Sequence, residues 1–248
     1  MSNPHVVVVG GTKGLGRVVT QTFLDAGACV TVLSRSAPTE WEGTAPLHLP
    51  VDLETLGADA AQAVAKAVVS AGGPIRYLVF SQRYRGNSDS WAGELQVSLV
   101  ATDLLMDAFA EHFVPAGDRA IAVVSSVYAE FVGPSQPAIY HVAKAGLNQL
   151  VRHRGWTLGR RGIRVNAIMP LTYLKPESRS FYLSNKELLD VYSRFVPLGR
   201  MGEAAECASV ITFLCSEGAS FVNGQCLYVD GGVSVRWPEG VAREFFGQ

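Results

Sequence analysis

Cysteines, long apolar runs and targeting signals are scarce in this sequence. Its 248 residues include four cysteines with no CxxC spacing, too few for a disulfide scaffold, so we expect reduced thiols in the core. No segment approaches the roughly 20 apolar residues that span a bilayer. The start, MSNPH, lacks the basic and apolar regions of a signal peptide, and we therefore expect no membrane partner and a cytoplasmic location.

Neither sign of charge is in excess. The 21 basic and 22 acidic residues nearly cancel, which disfavours a protein that neutralises nucleic-acid phosphates or lies on an anionic membrane. His141 and His153 have no second ligand type at a suitable spacing, so we expect no metal site. These exclusions favour small-molecule chemistry, and the 48% hydrophobic content suits a single domain over residues 1–248.

Short β-branched runs alternate with longer amphipathic stretches along the chain. The clearest predicted strands are Val6–Val9, Cys29–Leu33, Ile75–Phe80, Ala120–Val124, Ile163–Ile168 and Leu227–Val229, with another over Leu47–Val51. The predicted helices are Gly16–Ala26, Asp59–Ala71, Ala92–Phe113, Ala138–Leu158 and Ala204–Ser216. This alternation predicts an α/β fold in which a doubly wound parallel sheet is flanked by helices.

The helix predicted over Ala92–Phe113 is apolar on more than one side. One stripe, at three- and four-residue spacing, contains Leu95, Leu99, Thr102, Met106, Phe109 and Phe113, and a second face adds Val97, Leu104 and Ala108. We expect the second face to contact either a neighbouring subunit or the rest of the monomer. Further along, Leu171–Gly202 is long and irregular enough to predict a mobile segment over a site.

A glycine-rich turn follows the first predicted strand directly. It reads Gly10-Gly11-Thr12-Lys13-Gly14-Leu15-Gly16, and a helix follows. Glycines permit a tight turn and close backbone approach, so a pyrophosphate can lie on the free N–H groups of the helix N-terminus. An ordinary glycine-rich turn is the alternative, but the position at the first strand-to-helix junction favours nucleotide binding by this segment.

The second predicted strand ends in Ser34-Arg35 and lacks an acid where NAD-binding proteins hold the adenosine ribose. This absence favours NADP(H), whose 2′-phosphate Arg35 and Lys13 would bind by charge-assisted hydrogen bonds. Either side chain can instead be solvated. Asp52 follows the third predicted strand and either reaches an adenine amino group or caps a helix; the sequence leaves both open.

A serine pair and a Tyr-Lys pair follow the strand predicted over Ala120–Val124. The strand ends in Ser125-Ser126, and Tyr140 comes fourteen residues after Ser126, near the start of a predicted helix. Tyr140 and Lys144 share one face of that helix because they are four residues apart. Such pairs are common on solvated helices, but the glycine turn and the strand-end serines favour a catalytic interpretation here.

These motifs together resemble the short-chain dehydrogenase/reductase family, whose glycine turn, serine and YxxxK elements stand in the same order. The resemblance covers nearly the whole chain. It extends through Arg164–Pro170, which reads RVNAIMP, and through the run from Gly199 to Gly232. In these segments the sequence is similar to bacterial 3-oxoacyl-acyl-carrier-protein reductases.

The resemblance implies a Rossmann-type oxidoreductase that interconverts a small-molecule carbonyl and its alcohol, uses NADP(H) by the argument above, and assembles as a homotetramer. Tyr140 would be the general acid/base, Ser126 would bind the substrate oxygen, and Lys144 would hold the nicotinamide ribose and tune Tyr140. An ammonium group close to a phenol stabilises the phenolate, which suits this division of roles.

Two departures from the family pattern affect the turn after the fourth strand and the helix that follows. The family's NNAG reads Phe80-Ser81-Gln82-Arg83, so we expect Ser81 to face the cofactor in a turn that is built differently. The family's helical catalytic Asn corresponds to Ser98. We include Ser98 in the catalytic set and expect the proton relay to Lys144 to be altered.

Two further departures lie near the substrate side. The family's Pro-Gly after the sixth strand is Pro170-Leu171, and its Thr is Lys175, which leaves Pro170 and the backbone near Tyr173 to contact the nicotinamide amide. The interval from Ser126 to Tyr140 is one residue longer than the family's commonest one. We expect the connecting loop to absorb the extra residue, where an insertion costs little.

Some residues and two other functions stay open at this level. Arg83 and Arg85 either meet an acidic substrate or the cofactor, or they are solvated. The aromatic residues of Leu171–Gly202 either line an apolar pocket or pack beneath a loop. The chain can also be a non-catalytic NADP(H)-binding sensor or partner-binding protein, or an NAD-dependent alcohol dehydrogenase.

Overall fold

Apolar, largely β-branched segments pair into one parallel sheet. The computed structural model describes residues 3–37, 41, 43–86 and 90–247; Met1, Ser2 and Gln248 of the predicted domain lie outside the described residues. The strands are β1 (His5–Val9), β2 (Cys29–Ser34), β3 (Leu47–Pro50), β4 (Tyr77–Phe80), β5 (Ala120–Val124), β6 (Arg164–Pro170) and, later, β9 (Cys226–Val229). Their order is β3-β2-β1-β4-β5-β6-β9.

The central strands are buried on both faces, which explains their continuous apolar sequences. Every residue of β1, β4 and β6 is buried, as expected where helices cover both sides of a parallel sheet. The chain runs outward from β1 through β2 to β3 and then returns to place β4 on the other side of β1. This reversal confirms the predicted doubly wound topology and opens a crevice at the carboxyl ends of β1 and β4.

Helices cover the two faces in separate layers. They are α1 (Gly14–Asp25), α2 (Ala58–Gly72), α3 (Trp91–Leu95), α4 (Ala101–Ala110), α5 (Ala138–Gly159), α6 (Arg179–Ser184), α7 (Lys186–Phe195), α8 (Ala204–Leu214) and α9 (Pro238–Phe246). One face packs against α1 and α8 through Phe23 and Ile211. The other packs against α2, α4 and α5 through Val68, Phe109 and Leu147.

The helix predicted over Ala92–Phe113 is interrupted. Helix α3 passes through one π-helical turn, Gln96–Val100, into α4, which ends at Ala110. Such a turn shifts the helical register by one residue, and the sequence pattern alone does not reveal it. Val97 and Ala108 of the second apolar face are both buried within the monomer. Of the two alternatives left open, the monomer itself covers most of that face.

The segment Leu171–Gly202 is more regular than the sequence indicates, and its role as a mobile segment over a site stays a prediction. The segment contains α6 and α7, and its ends are joined where β7 (Tyr173–Leu174) pairs in parallel with β8 (Gly202–Glu203). Helix α7 begins at an Asn185 cap, whose side-chain oxygen accepts from the Leu188 N–H. The helical signals were missed because each helix is short.

The composition also predicted reduced thiols in the core and no membrane-spanning segment. The four cysteines are free, with Cys207 and Cys215 buried and Cys29 and Cys226 partly so. Burial raises the pKa of the Cys207 thiol to about 12, so that thiol stays protonated and unreactive near neutral pH. None of the helices in the described ranges is long and apolar enough to cross a membrane.

A buried ion pair joins the amino ends of β4, β5 and β6. The guanidinium of Arg164 donates to Oδ1 of Asp118 at 2.8 Å and to the carbonyl oxygens of Leu214 and Ser216. The Tyr77 hydroxyl donates to Oδ2 of the same carboxylate. The exposed fractions of the Arg164 and Asp118 side chains are 9% and 7%, so each charge depends on the other for compensation.

Asp118→Asn should destabilise the fold by about 3–5 kcal/mol, because it leaves the Arg164 guanidinium buried without a counter-charge. The matched control is Asp107→Asn, since Asp107 pairs with Arg154 but its side chain is 57% exposed. We expect the control to cost less than about 1 kcal/mol. Urea unfolding of the two variants measures the difference, and equal midpoints would show that the Asp118 pair contributes no more than a surface one.

Candidate active site

Two clefts open at the carboxyl ends of the strands, where the strand order reverses. The outer cleft is lined by Gly10, Thr12, Lys13, Leu33, Ser34, Arg35, Ser36, Val51, Asp52, Leu53, Glu54, Ser81, Gln82, Arg83, Tyr84, Arg85 and Val97. The inner cleft, of about 620 Å³, is lined by Lys13, Gly14, Leu15, Ser81, Arg83, Ser126, Tyr140, Lys144, Pro170, Tyr173, Lys175 and Glu177, among others. Lys13, Ser81 and Arg83 border both clefts, which therefore form one continuous crevice.

The glycine turn between β1 and α1 forms the floor of this crevice. A methyl group on Gly16 would lie 2.2 Å from the Gly10 carbonyl oxygen, and one on Gly10 would lie 2.7 Å from the Gln82 backbone. Gly10 also has a φ of +78°. Neither position accepts a side chain, and this close packing brings the start of α1 against the ends of β1 and β4. Gly16 itself does not line the crevice; it supports the turn.

The turn already binds an anion supplied by the chain itself. The Gly14 N–H donates a hydrogen bond to Oε1 of Glu177. Free N–H groups and the helix dipole favour negative charge at this position, so the carboxylate occupies a site with the chemistry that a pyrophosphate requires. The turn therefore fits the diphosphate of a dinucleotide. No sequence signal pointed to Glu177, which stands 163 residues from Gly14.

The outer cleft contains the residues predicted to hold the adenosine end. Nη1 of Arg35 pairs with Oε1 of Glu54 at 3.0 Å, and the two side chains are 56% and 36% exposed. Oδ1 of Asp52 accepts from the Glu54 N–H at 3.0 Å, so Asp52 both lines the cleft and stabilises a turn. Asp52 caps no helix, because α2 begins after Gly57, and its contact with the adenine stays a prediction. Thr12 and Lys13 close the opposite wall.

Tyr140 and Lys144 lie one helical turn apart in α5 and both line the inner cleft. Lys144 is 4% exposed, and its ammonium donates to the Val124 carbonyl oxygen at the end of β5, at 3.0 Å. Its Nζ lies 5.7 Å from the centre of the Tyr140 ring. In the described part of the chain no carboxylate pairs with this ammonium, so its charge acts on the cleft.

The two serines after β5 lie beside the same cleft but make different contacts. Oγ of Ser126 accepts from the Tyr128 N–H at 3.2 Å, which leaves its hydroxyl proton available to a ligand. The Ser125 hydroxyl instead donates to the Lys144 carbonyl oxygen at 3.5 Å. The Tyr128 ring packs edge-on against Tyr140, with centroids 6.4 Å apart. These contacts favour Ser126 over Ser125 as the serine that meets a ligand.

Ser98 does not reach the crevice. It lies in the π-helical turn, 2% exposed, and its hydroxyl donates to Oε1 of the buried Glu94 at 2.5 Å. Its carbonyl oxygen accepts from the Thr102 hydroxyl, which in turn accepts from Nε2 of Gln82. Ser98 thus supports the turn after β4 rather than contacting Lys144.

The turn after β4 places one cation against Tyr140. Ser81 borders both clefts as predicted, and Gln82 anchors the turn to α4 through its bond to Thr102 at 2.7 Å. Cζ of Arg83 lies 5.6 Å from the centre of the Tyr140 ring, and its Nη2 donates to Oε1 of Gln136 at 3.1 Å. Arg83 therefore crosses from the cofactor turn to the loop that precedes α5.

The segment after β6 forms the remaining wall. Pro170 and Tyr173 line the inner cleft as predicted, and burial is the main cause that raises the pKa of the Tyr173 phenol above its usual range. Burial and then the charges of Arg83 and Arg85 lower the pKa of Lys175. No group of three or more His, Cys, Asp or Glu side chains suited to a metal ion occurs within the described ranges.

Comparisons with known proteins agree with this architecture. Residues 9–234 match the family model described as enoyl-(acyl carrier protein) reductase. A tropinone reductase homologue of Arabidopsis thaliana is 28% identical, over 95% of this chain and 94% of that protein. Gluconate 5-dehydrogenase of Gluconobacter oxydans is 26% identical, over 95% of this chain and 96% of that protein.

A solved structure extends the agreement to the whole fold. The ligand-free aldohexose dehydrogenase of Thermoplasma acidophilum superposes with a TM-score of 0.81 at 26% identity, over 95% of this chain and 96% of that one. The matched residues include the glycine turn, β5 with its serines, and α5 with Tyr140 and Lys144. The chain therefore belongs to the short-chain dehydrogenase/reductase family, whose members bind a nicotinamide cofactor and transfer hydride between alcohols and ketones.

Proposed function

We propose that the chain is an NADP(H)-dependent carbonyl reductase that acts through Ser126, Tyr140 and Lys144. The observation that carries the proposal is the buried Lys144 ammonium, held by the end of β5 beside the Tyr140 ring and in the same crevice as an anion-binding glycine turn. The relatives named above are reductases and dehydrogenases, which supports alcohol–ketone interconversion.

Each residue of the site has a distinct part in the proposed reaction. The bound nicotinamide supplies the hydride from its C4 position. The Tyr140 phenol donates a proton to the substrate oxygen, and the Ser126 hydroxyl donates a hydrogen bond to the same oxygen. The Lys144 ammonium stabilises the resulting phenolate, and this effect is strong because the ammonium is buried in a region of low dielectric. Alcohol oxidation is the reverse.

The residues of the crevice divide the cofactor between them. The N–H groups of Lys13, Gly14 and Leu15, which line the inner cleft, would hold the diphosphate, with Gly10 and Thr12 beside it in the outer cleft. Asp52 and Ser81 would border the adenine and the adjoining ribose. Lys144 would hold the nicotinamide ribose, and Pro170 and Tyr173 the nicotinamide amide. Lys13 and Arg35 border the outer cleft, which supports a 2′-phosphate and hence NADP(H).

One observation favours a second candidate, a non-catalytic NADP(H)-binding protein. Ser98 is bonded to Glu94 instead of joining a relay to Lys144, so the proton path expected from the family is altered. Solvent can still exchange a proton with Tyr140, which is only partly buried at the mouth of the inner cleft. We therefore place the enzymatic proposal first.

The proposal includes a homotetrameric assembly. Helix α5 and the π-helical turn leave apolar side chains on the surface of the monomer: Val100 is 44% exposed, Val142 48% and Trp156 64%. Exposed apolar groups on adjacent helices are typical of surfaces that a second subunit covers. Association through these helices would also hold α5, and with it Tyr140 and Lys144, more rigidly.

Tyr140→Phe should lower NADPH-dependent turnover by about 10²- to 10⁴-fold, because it removes the proton donor and keeps the ring. The NADPH dissociation constant should stay within about twofold of the native value. The loss of NADPH absorbance with ketones, quinones, 3-oxoacyl thioesters and keto sugars measures turnover. The control is Tyr228→Phe, because Tyr228 lines neither of the two clefts. Undiminished turnover would refute the role of Tyr140. Tight NADPH binding with no native turnover on any substrate would favour the non-catalytic candidate.

Arg35→Ala should weaken NADPH binding by about tenfold, the worth of one partly exposed charge-assisted hydrogen bond, and leave NADH binding unchanged. Glu54→Gln is the matched variant: it releases Arg35 from its ion pair and should tighten NADPH binding. Cofactor fluorescence titrations give the NADPH and NADH dissociation constants of the native protein and of both variants. If the native protein binds NADH more tightly than NADPH, the protein is an NAD-dependent alcohol dehydrogenase instead.

Glu177→Gln should tighten the binding of either cofactor by about three- to tenfold, because it removes the carboxylate charge that competes with the diphosphate for the Gly14 N–H. The control, Glu239→Gln, removes an equal charge from the exposed surface of α9 and should have no effect. Calorimetric titration measures both. Weaker binding in Glu177→Gln would mean that this carboxylate supports the cofactor site instead of competing with it.

A further inference from the structure

The inner cleft has a large excess of positive charge in a chain that is nearly neutral overall. Its charged lining residues are Lys13, Arg83, Arg85, Lys144 and Lys175 against the single acid Glu177. The whole chain, in contrast, has 21 basic and 22 acidic residues. The excess is therefore local, and it surrounds the position of the reacting group.

Some of these cations are accounted for by the proposed cofactor. Lys13 belongs to the glycine turn, and Lys175 lies over it, with its Cδ 3.7 Å from where a Gly14 Cβ would be. Lys144 is bound to the Val124 carbonyl oxygen, and in the proposed reaction it stabilises the Tyr140 phenolate. Arg83 and Arg85 border the outer cleft as well, but neither pairs with a carboxylate in the ranges that the structure describes, and the Arg83 guanidinium is held toward Tyr140.

Of these two arginines, Arg83 is the one held against the Tyr140 ring. Its guanidinium stacks toward the Tyr140 ring and is fixed by Gln136, which belongs to the loop leading into α5. One donor is used by Gln136, so other N–H groups of the fork stay free for a ligand. Because the family's turn ends in glycine where this chain has Arg83, the side chain is an addition that the cofactor turn itself does not need.

We infer that the substrate carries an anionic group, a carboxylate or a phosphate, which the Arg83 guanidinium receives a few bonds from the reacting carbonyl carbon. The inference rests on the proposed function for the identity of the reacting group. The fork geometry of arginine matches the paired oxygens of either anion, and Arg85 adds charge at the same wall. Gln136 acts as a positioning residue that keeps the guanidinium on the substrate side.

Matched pairs of carbonyl compounds test this selectivity. The carboxylate arm compares 2-, 3- and 4-oxo acids with their neutral amides, and the phosphate arm compares hydroxyacetone phosphate with hydroxyacetone. For the preferred arm, kcat/KM of the native protein should favour the anion by about tenfold or more, since a hydrogen bond to a charged group is worth that much. Equal kcat/KM for every pair would overturn the inference.

The Arg83→Ala variant should bring that ratio close to one, mainly through KM for the anion, while the NADPH dissociation constant stays within about twofold. Arg83→Lys should recover part of the selectivity because it keeps the charge but loses the fork. Arg161→Ala is the control, because Arg161 lies beyond the carboxyl end of α5, where it pairs with Glu111. An unchanged ratio in Arg83→Ala would also overturn the inference.

A binding measurement separates this inference from the proposed function. In Tyr140→Phe loaded with NADPH, calorimetry should show the anion of the preferred pair bound about tenfold more tightly than its neutral partner, and Arg83→Ala should abolish the difference. If the difference persists although the native protein reduces no compound, the anion site stands and the reductase proposal fails. If the native protein reduces both members of every pair equally well, the reductase proposal stands and the anion site fails.

Discussion

The contact between the Gly10 carbonyl oxygen and the Cα of Gly16 is the constraint on which the site depends. A single methyl group at Gly16 would lie 2.2 Å from that oxygen, so the first turn of α1 packs directly on the end of β1. The N–H groups at the start of α1 consequently point along the carboxyl edge of the sheet. An anion held there lies in the same crevice as the side chains that follow β4, β5 and β6.

Lys144 is positioned by the same carboxyl edge of the sheet. A parallel strand leaves carbonyl groups without ladder partners where it ends, and the Val124 carbonyl oxygen at the end of β5 accepts from Lys144 Nζ. That bond fixes the height of the ammonium above the sheet, and helix α5 then sets Tyr140 one turn away. The glycine turn and Tyr140 are thus positioned by the ends of β1 and β5, two strands of one sheet with β4 between them, which keeps their separation constant without any direct contact.

The features predicted correctly from the sequence are those that local patterns determine. The alternating strands and helices and the turn between β1 and α1 depend on residues within one element or one junction, as does the position of Tyr140 and Lys144 on one helix, whose catalytic roles stay predictions. The contact between Glu177 and Gly14 joins positions 163 residues apart, and nothing in either local sequence indicates it. The π-helical turn around Ser98 was not predicted for another reason. One extra residue in a helical turn leaves the apolar spacing of the sequence nearly intact. In this turn the Ser98 hydroxyl donates to Glu94 and does not reach the crevice.

The positions of the basic side chains along the crevice explain how it can hold two anionic ligands at separate places. The phosphates of the proposed cofactor would offset Lys13, Arg35 and Lys175, which lie along the glycine turn and the outer cleft. Arg83 borders both clefts, but its guanidinium donates to Gln136 and lies over the Tyr140 ring, toward the proposed substrate side. A cofactor-loaded site therefore keeps one uncompensated fork beside the proton donor. On this proposal, Arg83 would determine which carbonyl compounds are reduced, whereas the glycine turn and the Tyr140–Lys144 pair would carry out the reduction.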